Sequence, residues 1–220
     1  MRKKVSTLLH ELEKTRTKFW NISPETGLFL HQLILNTPHI RQVLEIGTSN
    51  GVSGIWMAEA LRKKNLPEVP QKHPTSGKLS QRSPKNTPPP GHTQHTHHLH
   101  TIESHKKLRF NLAKENFEKA GLTTGPSPTI TQILGHAPEA IPNHPAKFDL
   151  IFLDATKYEH TGYLEALLPR TRKGSIIITD NATSHKKDLA PYKRKITRQK
   201  NFKTQLLPIG TGLLVSVRIS

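Results

Sequence analysis

The stretch VLEIGTSNGVSGIWMAEAL, residues 43–61, begins as a buried strand, passes through two glycines and ends as an amphipathic helix. Gly47 and Gly51 would let the backbone approach a ligand closely before the helix begins. Their spacing, G-x-x-x-G, differs from the G-x-G-x-x-G of dinucleotide-binding turns, so a pyrophosphate is not the favoured ligand. This turn alone is equally consistent with a plain connection from strand to helix, and residues further along the chain must decide its role.

Strand and helix patterns alternate along most of the chain. Strands are predicted at 41–46, 99–103, 129–134, 148–154, 174–180, 203–208 and 212–219. Helices are predicted near 7–19, 24–36, 51–62, 105–120, 160–169 and 185–200. This alternation indicates an α/β fold, a doubly wound and mostly parallel sheet with helices on both faces. The last two strands, separated by IGTG, predict an antiparallel hairpin.

The positive charge is confined to three segments. The formal net charge is +17, and residues 1–20, 62–100 and 186–203 contribute +4, +6 and +7, so the rest of the chain is neutral. A nucleic-acid partner is therefore plausible, because lysine and arginine attract phosphates. A solvated basic surface is the alternative, and charge alone favours it.

Composition excludes several classes of protein. No apolar run reaches the roughly 18 residues of a membrane-spanning helix, and the basic N-terminal stretch lacks the apolar core of a signal peptide. The chain has no cysteine, which excludes disulfides and thiolate metal sites. We therefore expect a cytoplasmic protein with no membrane association, folded as a single domain over residues 1–220.

A break in composition interrupts this domain at 62–98. The stretch is rich in proline, histidine and lysine and poor in large apolar side chains, so we predict a disordered insertion. Its HTQHTHHLH sequence would bind metals adventitiously, because the fixed spacing and scaffold of a structural zinc site are missing.

Polar side chains stand where the predicted parallel strands end, which is where such sheets bind ligands. Glu103 ends the second strand. If about 30 inserted residues are subtracted, Glu103 follows Gly47 by the roughly 20 residues that separate a glycine turn from an acidic side chain that binds ribose hydroxyls. A helix N-terminal glutamate is the alternative.

Asp154, Asp180 and Asn181 follow two further strands. Two carboxylates and an amide oxygen suit a hard cation such as Mg²⁺, and two carboxylates without a cation would repel each other. Lys157, three residues after Asp154, could accept a proton from a bound substrate. The sequence therefore predicts a metal site with a neighbouring base.

These motifs give the chain a family resemblance. It resembles the cation-dependent O-methyltransferases of the catechol and caffeoyl-coenzyme A type, which use S-adenosylmethionine. The matching stretches are SPETGLFLHQLI (23–34), VLEIGTSNGVS (43–53), TIESHKKLRFNLAKENFEKAGL (101–122), FDLIFLDATKYEHTGYLEALLPRTRKGSIIITDNA (148–182) and LLPIGTGLLVSV (206–217). The resemblance implies a Rossmann-like methyltransferase fold, with seven strands and an antiparallel last strand, and a homodimer.

The resemblance also implies roles for individual residues. S-adenosylmethionine would be held by Glu45, Gly47, Thr48, Ser49, Ser53, Glu103, Ala137 and Asp154. The divalent cation, Mg²⁺ by expectation, would be held by Asp154, Asp180 and Asn181. Asp154 and Lys157 would be catalytic, with Lys157 as the base. The insertion, and SHKKDLAPYKRK in place of the family's substrate-loop pattern, depart from the family.

Three functions stay open at this point. The first is methyl transfer to a hydroxyl of a small catechol-like or phenolic acceptor. The second is the same transfer to a hydroxylated uridine in tRNA, which the basic segments would bind. The third is a non-catalytic nucleic-acid or metal-binding module on a methyltransferase fold.

Overall fold

The computed structural model of the protein describes residues 1–66, 96–124 and 128–220. Most of the predicted insertion, residues 67–95, lies outside the described residues. The ends of that prediction were wrong, because Arg62–Lys64 continue a helix and His98 begins a strand. Within the described residues, no helix combines the length and the hydropathy that a membrane crossing requires.

Seven strands of the described residues form one mixed sheet. Their bounds are Gln42–Ile46 (β1), His98–Glu103 (β2), Ile130–Leu134 (β3), Leu150–Leu153 (β4), Ile176–Thr179 (β5), Phe202–Leu207 (β6) and Leu213–Arg218 (β7). The strand order is β3-β2-β1-β4-β5-β7-β6, and β7 runs opposite to the other six strands of this described sheet. The predicted Rossmann-like sheet and its terminal hairpin are confirmed.

Helices cover both faces of the sheet. Their bounds are Lys3–Glu13 (α1), Arg16–Phe19 (α2), Pro24–Asn36 (α3), Val52–Lys64 (α4), Asn111–Ala120 (α5), His160–Leu167 (α6) and Ala190–Thr197 (α7). Side chains of α1, α3, α4 and α5 pack on one face, and those of α6 and α7 pack on the other. The central strands are buried on both faces, which explains why they read as continuous apolar runs.

Several predicted helices are shorter or divided in the structure. The helix predicted at 7–19 is two helices, because α1 ends at Glu13 and Thr15 donates its side-chain hydrogen bond to the carbonyl of Leu12. A π-helical turn, Lys106–Phe110, precedes α5. The helix predicted at 185–200 covers only Ala190–Thr197, and the residues before it form turns.

Candidate active site

Four neighbouring strands direct polar residues to one edge of the sheet. Strands β2, β1, β4 and β5 are adjacent and parallel, with Ile46 paired to both Ile102 and Leu153, and Leu153 paired to Thr179. Their carboxyl ends therefore lie side by side. The turn after β1, Glu103 in β2, Asp154 after β4 and Asp180 after β5 all lie along this edge, where α/β sheets bind ligands.

The turn after β1 lies directly against the end of β4. Gly47 has φ = +104°, and a Cβ there would lie 2.4 Å from the carbonyl oxygen of Asp154. The amides of Gly47 and Thr48 donate to the carbonyl of Ile102, at 3.0 and 3.2 Å. Only glycine fits this approach, because any side chain would push the turn away from β4.

Glu103 orders the same turn from the end of β2. Its two carboxylate oxygens accept hydrogen bonds from the backbone amides of Ser49 and His105, each at 2.8 Å. The side chain is buried. A carboxylate oxygen has two lone pairs, so both oxygens can still accept from a ligand hydroxyl. The role of Glu103 in holding ribose stays a prediction.

A buried hydrogen-bonded chain lies beneath the turn. The hydroxyls of Thr48 and Thr101 are hydrogen-bonded at 2.5 Å. Thr101 donates to one carboxyl oxygen of Glu45 at 2.5 Å, and Ser53 donates to the other. Burial raises the pKa of Glu45 to about 8. The structure thus connects Glu45, Thr48 and Ser53, three predicted cofactor residues. Thr101 was missed, because its place within a strand pattern gave no sign of a polar contact.

Two further predicted cofactor residues, Ser49 and Ala137, lie at different places along the sheet. Ser49 has φ = +49° and donates from its hydroxyl to the carbonyl of Phe19. Ala137 follows β3 and is buried in the same apolar cluster as Ile102. Ser49 therefore lies in the turn itself and Ala137 in the segment after β3, and their contact with a cofactor stays a prediction.

Asp154 and Lys157 form an ion pair next to this turn. Nζ of Lys157 lies 2.7 Å from Oδ1 of Asp154, and each side chain is 14% exposed. The pKa of Asp154 is raised to about 6, because burial and the charge of Asp180 together outweigh the lowering effect of Lys157. Asp154 and Asp180 are thus close enough for their charges to interact.

Asp180 and Asn181 lie at the end of β5. Burial raises the pKa of Asp180, and hydrogen bonds to its Oδ1 from the amide of Asn181, at 2.7 Å, and the hydroxyl of Thr211, at 2.8 Å, oppose this rise. Asn181 has φ = +60°, a conformation that asparagine tolerates better than most residues. Its side-chain amide donates to Thr211 at 3.0 Å.

Asp154, Asp180 and Asn181 each have one side-chain oxygen that accepts no hydrogen bond from the described residues. Within the described residues, Oδ2 of Asp154, Oδ2 of Asp180 and Oδ1 of Asn181 accept no hydrogen bond. The described part of the chain contains no group of three or more histidine, aspartate or glutamate side chains suited to a metal. The predicted cation ligands Asp154, Asp180 and Asn181 are not such a group, because the side chain of Asn181 is an amide.

The chain is similar in sequence to methyltransferases of known name. The family profile of a methyltransferase domain matches residues 44–182, which include both the turn after β1 and Asp180. A catechol O-methyltransferase from Niastella koreensis is 29% identical over 161 residues, which cover 73% of this chain and 58% of that protein. The chain therefore spans little more than half the length of that relative.

Solved structures agree with the fold. An SAH-bound methyltransferase from Podospora anserina superimposes with a TM-score of 0.73 at 18% identity, covering all of this chain and 89% of that one. An O-methyltransferase from Bacillus cereus in complex with SAH gives 0.70 at 21% identity, covering 99% and 91%. Because the family profile matches more than half of the sequence, the chain belongs to the methyltransferase domain family.

Proposed function

We propose that the protein is an S-adenosylmethionine-dependent O-methyltransferase that methylates a hydroxyl of a small catechol-like or phenolic acceptor. The observation that carries this proposal is the position of Asp154, Asp180, Asn181 and Lys157 beside the glycine turn, along one edge of the sheet. Family membership supports methyl transfer, and the similar catechol O-methyltransferase supports the acceptor class.

The turn after β1 and Glu103 would bind S-adenosylmethionine. The turn brings its backbone against β4, and Glu103 offers two oxygens with unused lone pairs. Two of the similar solved structures contain SAH, the product that S-adenosylmethionine leaves after methyl transfer. Burial favours the neutral form of Glu45. A neutral Glu45 would not repel the carboxylate of S-adenosylmethionine.

Asp154, Asp180 and Asn181 fit a divalent cation, with Mg²⁺ as the expected ion. Each has one oxygen without a protein donor, and these hard oxygens are the ligands that Mg²⁺ prefers. The negative charges of Asp154 and Asp180 repel each other, and a bound cation would offset this repulsion. When bound, the cation would orient the acceptor hydroxyl and make it more acidic.

Lys157 would take up the proton released in the reaction. In the transfer, the bond between sulfur and methyl carbon breaks, a bond between that carbon and the acceptor oxygen forms, and the hydroxyl proton moves to Nζ of Lys157. Only the neutral amine can accept this proton, and the position of Nζ beside Asp154 places it next to the proposed cation site. Alignment of oxygen, carbon and sulfur supplies much of the remaining acceleration.

The deciding experiment is a transfer assay with methyl-labelled S-adenosylmethionine and a panel of catechols, with Mg²⁺ or excess chelator. We expect methylated catechol only when the cation is present, and none from Asp180→Asn. Asp188→Asn, a change at an exposed carboxylate in the neighbouring turn, is the matched control. Full activity in chelator would contradict the cation-dependent mechanism.

A second candidate acceptor is a hydroxylated uridine in tRNA. Exposed cations, among them Lys186, Lys187, Lys193 and Arg194, follow Asn181 directly in the turn and in α7, where they could contact phosphates. Bulk tRNA that carries the hydroxylated uridine without its methyl group belongs in the same assay. Label transferred to tRNA but not to catechols would favour this candidate. No binding of S-adenosylmethionine in calorimetry would favour the third, non-catalytic function.

The predicted homodimer and cytoplasmic location stay predictions. Light scattering of the purified chain tests the first, and microscopy of a tagged chain tests the second.

A further inference from the structure

Thr211 contacts both side chains of the Asp180–Asn181 pair from a distant part of the chain. It lies in the turn between β6 and β7. Its hydroxyl donates to Oδ1 of Asp180 at 2.8 Å and accepts from Nδ2 of Asn181 at 3.0 Å. A single hydroxyl thus connects two of the three side chains that offer oxygens for a cation.

The number of protons at this hydroxyl fixes the direction of both hydrogen bonds. An ionised carboxylate can only accept, so the one proton of Thr211 goes to Asp180. The hydroxyl can then only accept from Asn181, and this requires the NH₂ end of the Asn181 amide to face it. The carbonyl oxygen of Asn181, Oδ1, is therefore left for another partner, and a cation needs that oxygen.

The backbone holds Thr211 in place without using its hydroxyl. The carbonyl of Thr211 accepts from the amides of Thr183 and Ser184, at 3.0 and 3.3 Å, and the carbonyl of Gly212 accepts from Ala182 at 2.8 Å. Gly212 has φ = +90°, and a Cβ there would lie 2.1 Å from the hydroxyl of Thr183. The turn is thus docked against the residues that follow Asn181, and the hydroxyl contributes only the contacts to the two side chains.

We propose that Thr211 is a positioning residue that orients Asp180 and Asn181 to bind the divalent cation. This inference rests on the proposed function, since it assumes that these two residues are ligands. Partners that orient metal ligands in this way typically change metal affinity by about 10- to 100-fold when they are removed. A purely structural role in the turn would instead affect thermal stability and leave metal affinity unchanged.

The test compares Thr211→Val, which keeps the shape and removes the hydroxyl, with Thr211→Ser, which keeps the hydroxyl. The probe is Mn²⁺ alone, titrated into the full chain and followed by electron paramagnetic resonance. We expect Mn²⁺ affinity to fall about tenfold or more in Thr211→Val and to stay within about twofold in Thr211→Ser. Thr211→Ala, expected to behave as Thr211→Val, serves if the valine variant does not fold.

Thr204→Val is the matched control. Thr204 also lies on the β6–β7 hairpin, but its hydroxyl bonds to Ser216 at 2.9 Å, away from Asp180. Its loss should leave Mn²⁺ affinity unchanged. Equal affinity of the wild-type chain and Thr211→Val would overturn the inference alone. Wild-type binding no tighter than that of Asp180→Asn would overturn the proposed cation site, and the inference with it.

Discussion

Nζ of Lys157 lies 2.7 Å from Oδ1 of Asp154, so the proposed proton acceptor is ion-paired with a proposed cation ligand. The carboxylate of Asp154 would therefore serve both the cation and Lys157. Loss of this carboxylate should impair cation binding and the placement of Lys157 together.

Lys157→Ala should lower kcat by about 10²- to 10⁴-fold, the usual contribution of a general base. Steady-state kinetics at saturating cation measures this loss, and calorimetry should show nearly unchanged binding of S-adenosylmethionine. Lys173→Ala is the control, because Lys173 is exposed just before β5, at the opposite edge of the sheet. A kcat equal to that of the Lys173→Ala control would show that Lys157 is only a structural partner of Asp154.

Glu103→Ala should weaken S-adenosylmethionine binding by about ten- to hundredfold, because hydrogen bonds to charged groups contribute about 1.5–3 kcal/mol. Glu103 also accepts from the amides of Ser49 and His105, so the substitution additionally loosens the turn. Isothermal titration calorimetry measures the dissociation constant, with the exposed Glu118→Ala as control. An unchanged constant would support the alternative that Glu103 only stabilises the start of the following helical segment.

Gly47→Ala and Gly162→Ala should change stability in opposite directions. A Cβ at Gly47 would overlap the carbonyl of Asp154, and its φ of +104° strains any other residue, so we expect a loss of about 1–3 kcal/mol or more. At Gly162, inside α6, a Cβ meets no atom within 4 Å, so alanine should stabilise by about 0.5–1 kcal/mol. Urea unfolding measures both, and equal effects would contradict the close approach at Gly47.

Glu59 should make stability depend on acid pH. Burial raises its pKa, but hydrogen bonds from Arg2 and Arg62 outweigh burial and lower the pKa from 4.5 to about 2. A lowered pKa means that this stabilisation is complete above pH 4.5 and is lost as the pH falls toward 2. The shift corresponds to roughly 3 kcal/mol before solvent screening, which reduces it.

Unfolding measured across that range should therefore be less pH-dependent in Glu59→Gln than in the wild type. Glu118→Gln, on an exposed part of α5, is the control and should retain the wild-type slope. The same slope in Glu59→Gln would show that other carboxylates dominate acid unfolding.

The sheet could be predicted because its signals are local. Each central strand is a short apolar run that ends at a glycine or an acidic residue, and parallel strands place those ends at one edge. Helix bounds were less accurate where distant contacts compete. The helix predicted from residue 185 begins only at Ala190, after a run of turns that the amides of Thr183 and Ser184 join to the carbonyl of Thr211.

The site was predictable only in part, for the same reason. Asp154, Asp180 and Asn181 are visible because each directly follows a strand. Thr101 and Thr211 carry no such signal. Their hydroxyls meet Glu45 and Asp180 across long stretches of chain, and only the strand register and the docking of the β6–β7 turn bring them together.

The position of β7 between β5 and β6 has a consequence for biosynthesis. The sheet beyond β5 cannot form until Leu213–Arg218 have left the ribosome, because β7 is the one strand of the described chain that pairs with β6. Thr211 lies in the turn that precedes β7. Nearly all of the described chain must therefore be synthesised before Thr211 can contact Asp180 and Asn181. A nascent chain that already contains every proposed cation ligand should therefore still bind the ion weakly, and the site would mature only as synthesis of the hairpin finishes.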